Sequence, residues 1–433
     1  MRIEPSQSCF NMLEISVRTR ETYLTHISYK EEQAPLFKSM KTPWDDLFIT
    51  RMPSSNDPNL QGWDGADLYL LDAVAERGYA PAETVRVLIV NDTYGAISTA
   101  LRHCQVDVVT DSFRGREGLK TNFEKNLADH QPHFYDLGKV HPDKGWDLIL
   151  IKIPKSHDLL DWQLSRLQSI AGSAVVIGSG LTKHVHKKTI KIFERYLGKT
   201  PTSLAKYRSR LLLPGSDKIP SELQSNVWPK FWEYHGLAVG NYPGVFSGEK
   251  LDQGTRFLME QWQQGKAKYT HSSGGTVIDL GCGNAVLSAY YMKNQYVPIP
   301  MADKGTDNKH VDGAKENLIA IDDSWQAICS AKKTYSSNGV DAHLIHGDGL
   351  KSLPADLAAV ILCNPPFHEG HGVSYELAAE MFSHALRVLE PGGKLWVVGN
   401  RHLRYHIVLK RLFSRVQQIG NHPKFVIFQC WKR

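Results

Sequence analysis

Asn364-Pro365-Pro366-Phe367 closes an apolar run, Ala359-Val360-Ile361-Leu362-Cys363, and its residue types suit one kind of chemistry. The Asn side chain offers a carbonyl acceptor, and the backbone carbonyl of Pro365 offers a second. Two fixed acceptors can grip both hydrogens of a planar amino group and turn its nitrogen lone pair outward. Phe367 adds a flat face on which a base can stack. Proline has no N–H for a β-ladder, so the run is predicted to be a buried central strand that stops abruptly. Asn364 then stands at the carboxyl edge of a sheet, where open α/β folds bind ligands. Taken alone, the four residues also fit an ordinary strand-to-loop proline turn.

A second cluster lies upstream, in Thr276-Val277-Ile278-Asp279-Leu280-Gly281-Cys282-Gly283-Asn284. An apolar strand runs into Gly-x-Gly, and glycines there let the backbone approach a ligand closely. Val286 stands where a dinucleotide fingerprint has its third glycine. Asp279, inside the strand end, suits a ligand carrying an ammonium rather than a pyrophosphate. Gly305-Thr306-Asp307 is expected to bring a carboxylate to the next strand end, within reach of ribose hydroxyls. Asp303 is its rival, because Pro298 and Pro300 break up the stretch before it. Leu344-Ile345-His346-Gly347-Asp348 reads as a third strand with an acid at its tip. Phe246 and Ser247, ahead of a helix starting near Leu251, are expected to wall the pocket.

These residues need a scaffold, and 433 residues with 42% hydrophobic content can supply two or three domains. The expected division is an unassigned extension over 1–42, a first domain over 43–225 and a second over 226–433. Met40, just ahead of the strand-like Pro43–Ile49 stretch, is an alternative start of translation. A net charge of +6 permits a nucleic-acid partner without demanding one. The six cysteines fit neither a disulfide nor a metal spacing, so a reducing cytoplasm is expected. His402 and His406 are four apart, but Leu403 stands where a metalloprotease needs its glutamate, so no metal is expected. No run is long and apolar enough for a membrane span.

Residues 43–225 repeat the later plan in altered form. Val85–Val90, Val106–Asp111 and Trp146–Lys155 read as strands in the same order. Asn91 and Thr93 stand where Gly281 and Gly283 stand, Ile89 replaces Asp279, and Lys152-Ile153-Pro154-Lys155 replaces the Asn364 loop. A lysine cannot accept a hydrogen bond from an amine. The first domain thus reads as a duplicate that has lost catalysis, unless its likeness is coincidental. A basic stretch from Lys183 to Arg195, carrying Lys187, Lys188 and Lys191, reads as one helix whose cations can neutralise RNA phosphates. A solvated helix face is the plainer alternative for any single lysine.

Strand–Asp-x-Gly-x-Gly, strand–Asp, strand–Asp and strand–Asn-Pro-Pro-Phe, in that order, resemble the class I S-adenosylmethionine-dependent methyltransferases acting on planar nitrogens. From about residue 43 onward the chain is similar to the two-domain guanine-N2 methyltransferases of bacterial ribosomal RNA. The likeness rests on Val87–Asp92 with Gly95-Ala96, Val245-Phe246-Ser247 with Leu251-Asp252 and Gly254, Asp279–Asn284, Leu362–His368 and Asn400–Leu403. The last of these resembles the large-subunit members more than the small-subunit ones. Ala285 departs from the pattern, which usually has Gly there. The resemblance implies an α/β protein of two tandem class I (Rossmann-like) methyltransferase domains, the N-terminal one degenerate. It implies S-adenosylmethionine over Gly281 and Gly283, in a pocket with Asp279, Asn284 and Phe246, with Asp307 on the ribose and Asp348 near the adenine amine. Asn364 and the Pro365 carbonyl would hold a guanine N2 with Phe367 stacked on the base, and 23S rRNA would be the partner, gripped by the first half through Lys152, Lys155 and the basic stretch. A monomer is expected. Left open are a 16S guanine, a protein glutamine or a DNA adenine as substrate, and a non-catalytic RNA-binding role.

Overall fold

The computed structural model describes residues 39–52, 60–128, 131–138, 145–215, 227–265, 275–294, 318–366 and 371–433. In the first half the elements run β1 (Met40–Lys41), β2 (Asp46–Leu47), α1 (Gly65–Glu76), β3 (Arg86–Val90), α2 (Ala96–Ala100), β4 (Gln105–Val109) and α3 (Phe113–Lys125). They continue with β5 (His133–Phe134), β6 (Leu148–Lys152), α4 (His157–Leu167), β7 (Val175–Leu181), α5 (Lys187–Leu197) and β8 (Ser209–Leu212). Met40 is fully buried in this half's core, beside Leu47 and Leu70. The first domain's packing therefore starts before the expected boundary at residue 43.

A hairpin of β9 (Lys230–Tyr234) and β10 (Leu237–Asn241) leads to α6 (Gln253–Gln263), β11 (Thr276–Leu280), α7 (Val286–Asn294), β12 (Leu318–Asp322) and α8 (Trp325–Asn338). Then come β13 (His343–His346), β14 (Ala358–Cys363), α9 (His371–Val388), β15 (Leu389–Asn400), α10 (His406–Leu412), β16 (Arg415–Asn421) and β17 (Phe425–Trp431). Among the described residues no helix is long and apolar enough to cross a membrane.

The second sheet has the order β13-β12-β11-β14-β15-β17-β16, parallel through β15, with β17 antiparallel to both β15 and β16. The first sheet, β5-β4-β3-β6-β7-β8, follows the same order, with β8 antiparallel to β7. The protein is thus built of two tandem class I methyltransferase-like sheets. A continuous Ala-Val-Ile-Leu-Cys run has no polar face to show water, and β14 is accordingly buried along its whole length. Strand order reverses between β11 and β14, so the loops after these two strands diverge and open a crevice. Gly281 follows one strand and Asn364 the other.

The duplication holds at the level of single hydrogen bonds. Asn91 N–H donates to Val109 O at 2.8 Å, and Gly281 N–H donates to Ile321 O at 2.9 Å, each being the first residue past its strand. Asn91 has φ 67° and Gly281 has φ 73°. Glycine takes that left-handed backbone freely, and asparagine is among the few other residues that tolerate it. Four residues on, Gly95 (φ 81°) and Ala285 (φ 60°) repeat the correspondence.

The halves meet through two matching segments. Asp111 accepts from Ser324 Oγ (2.5 Å) and from Gln326 N–H (2.8 Å) at the start of α8. Asp323 accepts from Ser112 Oγ (2.6 Å) and from Arg114 N–H (2.7 Å) at the start of α3. Each carboxylate thereby meets the positive end of the other half's helix. Trp325 N–H donates to Asp111 O and Phe113 N–H to Asp323 O, completing a short antiparallel bridge.

Candidate active site

A cavity of about 630 Å³ opens at the carboxyl edge of the second sheet, between the diverging loops, and residues of both halves line it. Gly281, Gly283, Asn284, Phe246 and Asp279 line it from the second half. A Cβ added to Gly283 would meet nothing within 4 Å, and one on Gly281 would meet only Met381 Cε at 3.7 Å. The space above this turn is therefore open cradle, of the kind a bound small molecule fills. Asn284 is held below it, donating from Nδ2 to Asn241 Oδ1 at 2.8 Å. Phe246 is 46% exposed, a large apolar ring presented to the cavity.

Two carboxylates give the cavity its charge. Asp279 accepts a short hydrogen bond from Ser288 Oγ, which is also 2.7 Å from Tyr335 Oη. Burial pushes the Asp279 carboxyl up to about 7, the nearby Asp322 adding to the shift against the Ser288 hydrogen bond. Asp322, at the tip of β12, accepts from Gly283 N–H (2.8 Å) and Ser324 N–H (2.9 Å). Its carboxyl is raised to about 6, chiefly by burial, with Asp323 and Asp111 contributing.

Asp322 is the main residue that sequence reading missed. The strand after β11 and α7 was expected to end at Asp307, with Asp303 as rival; both lie outside the described residues. The strand observed there is Leu318-Ile319-Ala320-Ile321, and Asp322 ends it. Its signal was present, an apolar run closed by an acid, but it follows an unusually long polar interval.

Asp348 is a second correction. It does not line the cavity, and its two oxygens are engaged by Arg114 Nε and by Lys351 Nζ (2.5 Å), while the adjacent Gly349 forms the wall. Arg114 comes from the first half and itself lines the cavity, as do Thr93 and Tyr94. The loop that lost its glycines has become a wall of the other half's site.

Across the cavity stand Asn364 and Pro365. Asn364 Nδ2 donates to Thr255 Oγ1 (3.1 Å) and Asp252 Oδ2 (3.3 Å). A carboxylate only accepts, so the amide nitrogen must face it. Oδ1 is thus the free end of the amide, buried and without a hydrogen-bond partner. Phe367 lies outside the described residues.

The basic residues separate into two groups. Lys152 is only 14% exposed at its side chain, and its ammonium lies 2.7 Å from Asp67 and 3.3 Å from Asp64. Burial pulls its pKa down, but these carboxylates more than offset that and hold it above the ordinary lysine range. The expectation that Lys152 grips RNA is therefore corrected: its charge is spent inside the first domain. Lys155 is exposed at the cavity rim. Lys187, Lys188 and Lys191 are exposed on α5, whose other face buries Ile192, Phe193 and Tyr196. The basic stretch is not one helix, because Thr182–His184 forms a separate 3-10 turn.

Known proteins share this architecture. Residues 38–218 match the RLMG N-terminal domain, and residues 236–429 match the methyltransferase small domain. The ribosomal RNA large subunit methyltransferase G of Streptomyces avermitilis is 35% identical over 407 residues, covering 91% of this chain and 99% of that protein. The protein of the same name from Vibrio vulnificus is 35% identical over 394 residues, covering 89% and 97%. A solved T. thermophilus 16S rRNA N2 G1207 methyltransferase, in complex with AdoMet and guanosine, superposes with a TM-score of 0.66 at 19% identity. It covers 92% of this chain and 98% of its own, a likeness of fold. With a degenerate first domain walling the glycine-lined cavity of the second, and relatives matching nearly end to end, the chain belongs to the ribosomal RNA large subunit methyltransferase G family.

Proposed function

We propose that the protein transfers a methyl group from S-adenosylmethionine to the exocyclic N2 of a guanine in 23S rRNA. The observation that carries this reading is the buried, unpartnered Oδ1 of Asn364 in the cavity wall. An unmet buried acceptor costs roughly 1–3 kcal/mol, a cost that an incoming amino hydrogen removes. Asn364 Oδ1 and the Pro365 carbonyl take the two N2 hydrogens and aim the nitrogen lone pair into the cavity. Phe367, following in the chain, supplies the stacking face for a splayed-out base.

The cofactor fits the residues present. Gly281 and Gly283 leave backbone room, Asp279 would favour an ammonium, Asp322 would offer its carboxylate to ribose hydroxyls, and Phe246 would wall the pocket with an apolar ring. Bound there, S-adenosylmethionine supplies an electrophilic methyl on a sulfonium. The methyl would pass to N2 with S-adenosylhomocysteine as the leaving group, and the surplus proton on N2 would go to water. No side chain is needed as a base, and alignment by Asn364 and Pro365 is the protein's main contribution.

RNA reaches the cavity over the first domain. Lys187 and Lys188 sit in the first turn of α5, where cations oppose the helix dipole. Such a placement weakens the helix end and makes sense where anions bind. Lys155 at the rim, with these lysines and Lys191, would hold RNA phosphates. We place the protein in the cytoplasm as a monomer, with its substrate either free 23S rRNA or an assembling large subunit.

The test is to incubate the protein with methyl-labelled S-adenosylmethionine and, separately, unmodified 23S and 16S rRNA, then identify the labelled nucleoside. Label in N2-methylguanosine from 23S alone is the expected result. The same nucleoside from 16S alone overturns the substrate, and any other labelled nucleoside overturns the chemistry.

A further inference from the structure

Each half holds the residue at the tip of its fourth-position strand in the same way. In β14, Cys363 pairs with Leu280, and Asn364 is the next residue. In β6, Ile151 pairs with Val90, and Lys152 is the next residue. Lys152 is gripped by Asp64 and Asp67, the N-cap and third residue of α1. Asn364 is gripped by Asp252 and Thr255, the N-cap and third residue of α6. The contacts changed together. Where the tip residue is a cation, the partner on the helix is a second carboxylate, and where it is a neutral amide, the partner is a hydroxyl.

Helix α6 comes close enough because its second residue is Gly254. A Cβ there would fall 2.8 Å from Val398 Cγ1 and 3.0 Å from Asp252 Oδ2, so only glycine lets the first turn press onto β15. Asp252 also caps α6, accepting from Thr255 N–H at 2.8 Å, which fixes its carboxylate before it meets Asn364. An acceptor and a hydroxyl on one side of the amide leave Nδ2 no alternative orientation.

We infer that Asp252 and Thr255 are positioning residues for methyl transfer: they pin the Asn364 amide so that its carbonyl oxygen, not its nitrogen, meets the substrate amine. This rests on the proposed role of Asn364 as the group that receives that amine. Released, the amide can rotate and present a donor to a donor. The loss then falls on the chemical step and spares the cofactor.

The test uses the full chain with the rRNA that the labelling experiment identifies, comparing Thr255→Val, Thr255→Ser and Asp252→Ser. Serine at 252 still caps a helix but is too short to reach Asn364, which separates the two roles of Asp252. Expected is a fall in kcat of roughly tenfold or more for Thr255→Val and Asp252→Ser, the scale of one well-placed hydrogen bond. S-adenosylmethionine affinity and thermal midpoint should stay near those of the unaltered protein, and Thr255→Ser should restore kcat. Unchanged kcat in Thr255→Val overturns the inference, as does a loss that Thr255→Ser fails to restore or that follows cofactor affinity. These readouts do not depend on which atom of the RNA is methylated. A product other than N2-methylguanosine would overturn the proposed chemistry, while the kcat pattern of the three variants would still decide the positioning role.

Discussion

Asp279 and Asp322 are buried carboxyls raised to about 7 and about 6, and they face the same cavity. In the free protein near pH 6 a substantial part of each is protonated. A cofactor bearing an ammonium and a sulfonium favours their ionised forms, so binding near that pH must expel protons. Affinity for S-adenosylmethionine should therefore rise with pH, by about tenfold between pH 5.5 and 7.5, and then level off. Calorimetric titration at fixed ionic strength checks this, and Asp279→Asn should flatten the curve; a flat curve in the unaltered protein would sink the assignment. The first half supplies a residue-scale contrast in Lys152. Replacing it with Met leaves Asp67 buried without its counter-charge, which should cost about 3–5 kcal/mol of stability in chemical denaturation. RNA affinity of the folded fraction should not change, whereas a phosphate-gripping Lys152 would lower it.

At the scale of elements, legibility followed the length of apolar runs. β3, β6, β11 and β14 are built on aliphatic runs, and each matches a strand expected from the sequence to within three residues at its ends. The Asn364 loop and the Gly281 turn were readable because proline and glycine have few other uses there. The acid of the second strand was not. Asp322 lies 43 residues after Asp279, and a Gly-Thr-Asp triplet in the interval offered a nearer candidate. The grip on Asn364 was also invisible, because Asp252 and Thr255 are 112 and 109 residues away in the chain and join it only through packing permitted by Gly254. The basic helix was readable in charge but not in extent. Its lysines yield an element-scale prediction with opposed signs. Lys187→Glu with Lys188→Glu improves the charge at the α5 N-terminus, so the thermal midpoint should hold or rise slightly. RNA binding should weaken, and the dependence of log Kd on log salt should lose about one unit of slope for each lysine. Unaltered RNA affinity would detach α5 from the RNA path.

For the whole molecule, the duplication was legible from the order of strands, but its consequence was not. Asp111-Ser112-Phe113 and Asp323-Ser324-Trp325 are unremarkable apart, and they become informative only when each Asp is seen on the other half's helix. His346 lies between them, its ring 5.6 Å from Phe113 and 5.5 Å from Trp325, with Nε2 2.8 Å from Asp323 O and 3.1 Å from Asp111 O. The lock adjoins the cavity, because Ser112, Arg114, Asp323 and Ser324 belong to both. Loss of the interface should therefore reach the cofactor site, although the glycine turn lies wholly in the second half. The unaltered protein is expected to unfold in one calorimetric transition over residues 40–433. Asp111→Ala and Asp323→Ala should each remove about 2–3 kcal/mol through lost hydrogen bonds to a charged acceptor. The double variant should separate the halves into two transitions and weaken S-adenosylmethionine binding, because Thr93, Tyr94 and Arg114 no longer close the wall. A single transition retained in the double variant would show that other contacts couple the halves. Undiminished cofactor affinity would show that the second half binds without the first, leaving the degenerate domain to serve RNA alone.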